Sequence, residues 1–406
     1  MKEISFIHAA DLHLDSPMIG LRNLPVSILK RLRESTFKAL KKLTNAAIKK
    51  NVDFVILAGD LFDGEDRSLK AQSHLRTEML KLMKHDIPVY IIHGNHDHLS
   101  GDWVHLEMPS NVHIFTDKVE SMTLVTKKGM RVNLYGFSYP ERHVYERKIT
   151  HYQKSGNADY HIGILHGNEE GENEHGNYAP FVVKELLEKD FHYWALGHIH
   201  KRKVLSENPP IIYPGNIQGR NKKEKEIKGC YHVNLSDFET SLEFIETSDV
   251  IWEDVEIDLA GLRNFYEVLE KCQAIVKDCR KEKMGTLLTL SLLNHELEDD
   301  KERRALAAEL IELLQENEQD EDAFVWVTEI IAEQNQIVSK ENLKKESEFY
   351  SELLNTVAHY EYDEIPLSAL YHHQMGRKYL SSLTSNEHVQ LLEKAEILLL
   401  NLLYKS

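Results

Sequence analysis

The stretch Phe54-Val-Ile-Leu-Ala-Gly-Asp60 is a run of strand-forming apolar residues that stops on a glycine and a carboxylate. Short runs rich in Val, Ile and aromatics that end at Gly or Asn read as buried strands entering a turn. The pattern recurs on both sides. Ile4-Ser-Phe-Ile7 leads to Asp11-Leu-His13, and Val89-Tyr-Ile-Ile92 leads to His93-Gly-Asn-His-Asp97. Further on, His161-Ile-Gly-Ile-Leu165 leads to His166, and Tyr193-Trp-Ala-Leu196 leads to Gly197-His-Ile-His200. Continuous apolar strands separated by helical stretches, such as the amphipathic Lys30–Lys50 with Leu32, Leu40 and Leu43 turned inward, belong to a layered α/β fold. Functional groups in open α/β sheets collect just outside the strand ends. Asp11, His13, Asp60, Asn95, His166, His198 and His200 are therefore expected along one rim of a sheet.

Alone, each segment is weak, because a single His or a single Gly-Asp is more often structural than catalytic. Five in one order, each at a strand end, point to a shared site. Their seven side chains supply ligands for a pair of divalent ions. Mixed imidazole and carboxylate donors suit Mn, Fe or Zn better than Mg or Ca alone, and two Mn2+ ions are the expected cofactors. Two such ions about 3.5–4 Å apart clamp the attacking and leaving oxygens of an in-line phosphoryl displacement. One carboxylate must bridge them, and Asp60, in the tight turn between the two half-sites, is the candidate. Asn95 offers a neutral amide oxygen, and Gly59, Gly94 and Gly197 let the backbone approach the ligands.

The order D-x-H, G-D, G-N-H-[DE], H, G-H-x-H resembles the calcineurin-like metallophosphoesterase superfamily, and every element of that signature is present. The resemblance implies an α/β two-sheet sandwich in which Asp11, His13, Asp60 and His200 hold one ion. Asp60, Asn95, His166 and His198 would hold the other, and His96 would contact the scissile phosphate and assist the leaving oxygen as the catalytic residue. Within the superfamily, Ile7-His-Ala-Ala-Asp-Leu-His-Leu14, Ala58-Gly-Asp-Leu-Phe-Asp63, His93–Asp97 and Tyr213-Pro-Gly-Asn-Ile-Gln-Gly-Arg220 are similar to the SbcD-type DNA repair nucleases, in particular their YhaO branch. The similarity is strong over about residues 1–250 and extends to the remainder in layout only. It implies DNA as substrate, 3′-to-5′ exonuclease action with endonuclease action alongside, and a small α/β capping domain over the cleft. It also implies C-terminal helices that bind an SMC-like ATPase of the SbcC or YhaN type, and a homodimer. Asp63 stands where archaeal and eukaryotic nuclease relatives carry a histidine, and Asp15 where many relatives have glycine. Leu75, Met79, Leu82 and Met83 read either as a dimer face or, more plainly, as core.

A chain of 406 residues is too long for one simple core. The expected units are a metallophosphoesterase domain over 1–250, a capping domain over 251–335 and a helical partner-binding segment over 336–406. No apolar run approaches the roughly 20 residues that span a membrane. A strand starting at Ile4 leaves no room for a cleavable signal, so a cytoplasmic protein with reduced Cys230, Cys272 and Cys279 is expected. Charge divides the chain. Residues 1–250 carry 33 Lys and Arg against 34 Asp and Glu, and residues 251–406 carry 16 against 32. Phosphate contacts dominate nucleic-acid affinity, so any DNA surface is expected on the first part. There Lys201-Arg-Lys203 and Arg220, Lys222, Lys223 and Lys225 read equally as a phosphate track or as a solvated loop.

Downstream, Tyr231–Leu235 and Ser241–Ile245 are expected to finish the second sheet. Trp252–Leu259, Thr286–Leu292 and Phe324–Ile331 read as strands, with helices over Gly261–Lys283 and Asp299–Gln315 between them. From Ser339 the pattern is helical, with a capping box at Thr384-Ser-Asn-Glu387. The Gly- and Glu-rich stretch from Gly167 to Asn177 reads as a loop at the cleft rim. A small-molecule or cyclic-nucleotide phosphodiesterase would use the same ligands. The histidine at 198 argues against a protein phosphatase, and the intact ligand set argues against a non-enzymatic scaffold.

Overall fold

The computed structural model describes residues 2–332, except 17, 19, 20, 22, 23, 64–66, 101–103, 172–177, 238, 263 and 296–299, together with 347–358 and positions 391, 392, 395, 396, 399 and 400. Two six-stranded sheets pack face to face. The first runs β12 (Thr240–Glu246), β11 (Gly229–Ser236), β1 (Glu3–Ala9), β2 (Phe54–Ala58), β3 (Val89–Ile92), β4 (Val112–Ile114). The second runs β5 (Glu120–Val125), β6 (Arg131–Gly136), β7 (Tyr160–His166), β8 (Tyr193–Gly197), β10 (Pro210–Tyr213), β9 (Lys203–Glu207). The central strands β1 to β4 are parallel, as are β6, β7, β8 and β10.

The continuous apolar strands explain the layering. Ile4, Phe6, Phe54, Ile56 and Ile92 of the first sheet meet Leu134, Ile162, Ile164, Tyr193 and Ala195 of the second in one dry core. The opposite faces of β1, β2 and β3 send Ile7, Ala9, Val55, Leu57, Val89 and Ile91 against α1 (Val26–Lys50) and α2 (Leu69–Met83). From those helices come Leu40, Leu43, Ala47, Leu75, Met79 and Leu82. Leu75, Met79 and Leu82 are at most 1% exposed, so they are core and offer no dimer face, while Met83 beside them is half-buried.

The strands expected to finish the second sheet instead extend the first. β11 lies antiparallel on β1, with Glu3 opposite Ser236 and His8 opposite Tyr231, and β12 follows as a hairpin. A parallel sheet begun at β1 leaves one edge of that strand unpaired, and the hairpin covers it. Its alternation puts Tyr231, Val233 and Leu235 between the sheets and Cys230 on the helix side.

A third, three-stranded parallel sheet follows: β13 (Val250–Asp258), β14 (Gly285–Leu293) and β15 (Val325–Ile331). The helices α4 (Phe265–Asp278) and α5 (Asp300–Gln315) make the crossovers, and Val268, Cys272, Leu310 and Leu314 close one face of the sheet. At its other side Val250, Trp252, Leu287, Phe324 and Trp326 cluster with Ile28 and Leu32 of α1. Arg31 binds both carboxylate oxygens of Asp249, at 3.0 and 3.2 Å, at the same joint. Residues 1–170 and 177–333 form one compact unit, so this small sheet shares a unit with the sandwich; 171–176 and 334–406 form a second. In the second unit α6 (Glu348–Ala358) is described, with Leu354 and Leu400 buried together. Thr384–Glu387 and most of the helical pattern beyond Ser339 lie outside the described residues. Among the described residues no helix is long and apolar enough to cross a membrane. Cys230, Cys272 and Cys279 are buried free thiols, and burial pushes the Cys230 thiol up to about 12.

Candidate metal centre

All seven expected ligands meet, but on the facing rims of two sheets rather than on one. Asp11 and His13 follow β1, Asp60 follows β2, and Asn95 follows β3. His166 ends β7, and His198 and His200 follow β8. Face-to-face packing of two parallel sheets puts both sets of carboxyl ends side by side. Backbone bonds zip the first turns together: Asp11 N to Gly59 O at 3.1 Å, His13 N to Asp60 O at 3.0 Å and Leu14 N to Leu61 O at 2.9 Å.

These turns are held in costly backbone conformations. Asp11 (φ 53°), His13 (φ 41°), Asp60 (φ 50°) and His198 (φ 101°) all have positive φ. Such conformations cost of order 1–3 kcal/mol each and persist where the surroundings over-determine them, typically at functional sites. The glycines are needed for close approach. A Cβ on Gly94 would lie 2.3 Å from Asp60 Oδ1 and 2.6 Å from His166 Nε2, and one on Gly197 would lie 1.9 Å from Ala58 O.

Hydrogen bonds to the rear nitrogens determine what the front of the site presents. His166 Nδ1 lies 3.0 Å from Ala58 O, and a carbonyl oxygen only accepts, so Nδ1 carries a proton and Nε2 is the nitrogen turned into the site. His13 Nδ1 donates to Asp63 Oδ1 at 3.2 Å, and His200 Nδ1 donates to Glu224 Oε1 at 2.8 Å. Both carboxylates are ionised. Burial would raise Glu224, yet the His200 hydrogen bond and Arg220 hold it well below the carboxylate range. Asp63 is held down in the same way by His13 and Arg220. The forward nitrogens therefore face each other with lone pairs: His13 Nε2 and His200 Nε2 are 3.1 Å apart. His166 Nε2 lies 3.1 Å from Asn95 Oδ1 and 3.4 Å from Asp60 Oδ2, and His198 Nδ1 lies 3.2 Å from Asn95 Oδ1. Lone pairs turned on each other, as those of His13 and His200 are, repel unless a cation lies between them. The donor set thus fits divalent ions in two inner groups, Asp11, His13 and His200, and Asp60, His166 and His198, while a third group, His13, Asp63 and His96, lies beside them.

The electrostatics agree. Burial, with Arg220 nearby, lowers His13 to about 3, so its ring stays neutral and available as a ligand. His166 is the exception: burial pulls it down, but Asp60 and Asp11 outweigh it and lift it to about 9, so a cation bound there would take the place of a proton. Asp60 is pushed up by burial and brought well below the ordinary range by His166, His96 and His13, consistent with a permanent anion between the two groups.

His96 is not among these inner ligands. Its backbone N–H donates to Asp60 Oδ1 at 2.9 Å, its ring stands 5.0 Å from that of His13, and a third of its side chain reaches solvent. Asp97 stitches the turn, accepting from Gly94 N at 2.7 Å, Leu61 N at 2.9 Å and His93 Nδ1 at 2.9 Å, which gives His93 its strand-end role.

The supporting layer was the part the sequence hid. Arg220 Nη1 donates to Asp63 at 3.1 Å and Arg220 Nη2 lies 3.6 Å from Glu224, while Glu224 also accepts from Asn216 Nδ2 and Arg220 N, each at 2.8 Å. The one available signal was an acid, Glu224, inside the basic run Arg220–Lys225. Within that run Arg220 pairs with Asp63 and Glu224, Lys225 with Asp254, and Lys222 with Glu329. Lys203 pairs with Glu169 at 3.7 Å, and Arg202 lies over the Phe244 ring.

The two packed sheets and the donor set at their strand ends are those of a metallophosphoesterase. Residues 4–202 match the calcineurin-like phosphoesterase family, and the chain belongs to it. It is 38% identical over 402 residues to the uncharacterized metallophosphoesterase YhaO of Bacillus subtilis, covering 98% of each chain. It is 26% identical to the DNA double-strand break repair protein Mre11 of Thermoplasma acidophilum, over 57% of this chain and 65% of that one. Its identity to the protein of the same name from Methanocaldococcus jannaschii is 28%, over 54% and 62% of the two chains.

Proposed function

We propose that the chain is a two-metal DNA phosphodiesterase acting in DNA repair, a 3′-to-5′ exonuclease with endonuclease action alongside. It would work as a homodimer with an SMC-like ATPase of the SbcC or YhaN type held by its C-terminal helices. The observation that carries the reading is the set of imidazole, carboxylate and amide groups converging on two adjacent positions, with His96 beside them. The Mre11 proteins it resembles are named for DNA double-strand break repair, which favours DNA over a small diester.

When bound, two Mn2+ ions would polarise the phosphate and lower the pKa of the attacking water. Asp11, His13 and His200 would hold one and Asn95, His166 and His198 the other, with Asp60 shared. His96, tethered through its own backbone to Asp60, orients the phosphate and gives a proton to the departing 3′ oxygen, leaving a 5′ phosphate. The strained turns keep the donors in place before substrate arrives.

Digestion of end-labelled double-stranded DNA in Mn2+, with a chelator control and a His96→Ala variant, tests this. Nucleotide release from the 3′ end that needs both Mn2+ and His96 is expected. Intact DNA alongside turnover of a small diester by the same preparation would assign the site to small substrates instead. Truncation after Val338 should abolish co-purification with the ATPase, and unchanged co-purification would remove that partner.

A further inference from the structure

Four aromatic rings lead from the metal centre to the surface. Tyr178 leans on His198 with centroids 5.0 Å apart at 49°. His143 lies nearly parallel on Tyr178 at 5.5 Å and 25°, and Tyr145 stacks on His143 at 5.8 Å and 8°. Backbone anchors set this strip. Val144 turns into the core while His143 and Tyr145 on either side turn out together. Ala179 N donates to Val144 O at 2.6 Å, which lays the 143–145 segment beside the one that carries Tyr178. The buried Asn168, two residues past His166, fixes Tyr178: its Oδ1 accepts from Tyr178 N at 2.8 Å and its own N–H donates to Tyr178 O at 3.1 Å. Arg147 pins the far end through Glu170 at 2.8 Å and Glu185 at 2.6 Å.

The outer rings are not core. Tyr145 is 67% exposed, His143 is exposed and Tyr178 is half-buried. An ordered row of exposed rings that begins on a metal ligand, with the exposed Arg142 alongside, is surface built for a flat partner. Every nucleobase has such a face, and stacking on aromatic side chains holds single strands without regard to sequence. The rings already touch one another, so a base would lie on the open face of Tyr145 and along the strip's outer edge rather than between them.

We propose that the strip His143–Tyr145–Tyr178 is a nucleobase-stacking platform that seats unpaired nucleotides next to the phosphate at the metal centre. This rests on the nuclease reading and gives it a substrate preference, for single-stranded or frayed ends. The test is the affinity of the full chain in Ca2+ for a fluorescent single-stranded oligonucleotide and for its abasic counterpart. Wild type, Tyr145→Ala and Tyr145→Phe are compared, and wild-type cleavage of the same strand is read separately in Mn2+. Tyr145→Ala should bind the base-bearing strand about tenfold more weakly, equivalent to ~1.4 kcal/mol, and the abasic strand as wild type does; Tyr145→Phe should restore the difference. A wild-type chain that cuts DNA but binds both strands equally overturns the platform alone. So does a Tyr145→Ala chain that still prefers the base-bearing strand as wild type does. A wild-type chain that neither binds nor cuts DNA overturns the nuclease reading and the platform with it.

Discussion

Replacing Glu224 by glutamine should weaken one metal ion and spare the other. The carboxylate is nine-tenths buried and accepts from His200 Nδ1, Asn216 Nδ2 and the Arg220 N–H, each at 2.8 Å, with the Arg220 guanidinium 3.6 Å away. Glutamine keeps the shape and one acceptor. Its amide nitrogen then faces Asn216 Nδ2 and the Arg220 N–H, which are donors too, and the charge that balances Arg220 is gone. His200 keeps an acceptor at Nδ1 but loses the carboxylate's charge behind that hydrogen bond, which makes Nε2 a poorer metal ligand. Losing a partner of this kind typically costs 10–100-fold in metal affinity, which corresponds to ~1.4–2.7 kcal/mol. Calorimetric titration of Mn2+ into chelator-stripped protein resolves the two ions. The ion at Asp11, His13 and His200 should weaken by about that factor, while the ion at Asp60, His166 and His198 keeps its affinity. Equal weakening of both ions, or of neither, would refute the reasoning.

Other outcomes follow from the same contacts. Gly94→Ala drives a Cβ into Asp60 Oδ1 and His166 Nε2, so it should abolish Mn2+-dependent turnover; turnover within a few-fold of wild type would mean the turn yields. Leu82→Ala opens a cavity among fully buried side chains and should cost about 2–5 kcal/mol in urea unfolding while leaving the sedimentation coefficient of the native protein unchanged. A changed oligomeric state would return that helix to an interface. His8 is buried, with Nε2 donating to Leu196 O and Nδ1 accepting from Tyr193, and burial holds it at about 3 against 6.5 in the unfolded chain. The unfolded chain therefore takes up a proton that the fold refuses. This contribution is whole above about pH 6.5 and is lost as pH falls toward 3, at up to ~1.4 kcal/mol per unit. Urea midpoints in chelator from pH 7 to pH 5 should fall with pH and should fall less in His8→Asn; a flat profile contradicts this.

Much of the centre was legible because each candidate ligand follows an apolar run, all but Asp11 and His13 close to a glycine or asparagine, and that local signal survives without tertiary knowledge. The third sheet was legible for a similar reason: Trp252–Leu259 alternates in polarity and the helices after it carry one apolar stripe each. Strand partners were not legible. Alternation in Tyr231–Leu235 tells which side chains turn inward, but not that the hairpin closes the free edge of β1. The stripe Leu75, Met79, Leu82 reads the same for a core or a dimer face, and only packing against β2 and β3 decides. Positive φ at Asp11, His13, Asp60 and His198 has no sequence signature, since none of these is glycine. Glu224 reaches His200 and Arg220 reaches Asp63 only because their loop folds back beside Asn216, so Arg220, read with the basic run around it, braces the site from inside.

The central claim is that this rim holds two ions acting together on one phosphodiester. Turnover of bis(p-nitrophenyl) phosphate, followed while Mn2+ is added in known equivalents to stripped protein, tests it most directly. Turnover that stays low through the first equivalent and saturates at the second is the expected result, because one ion cannot hold both the attacking and the leaving oxygen. Saturation at a single equivalent would contradict a dinuclear centre.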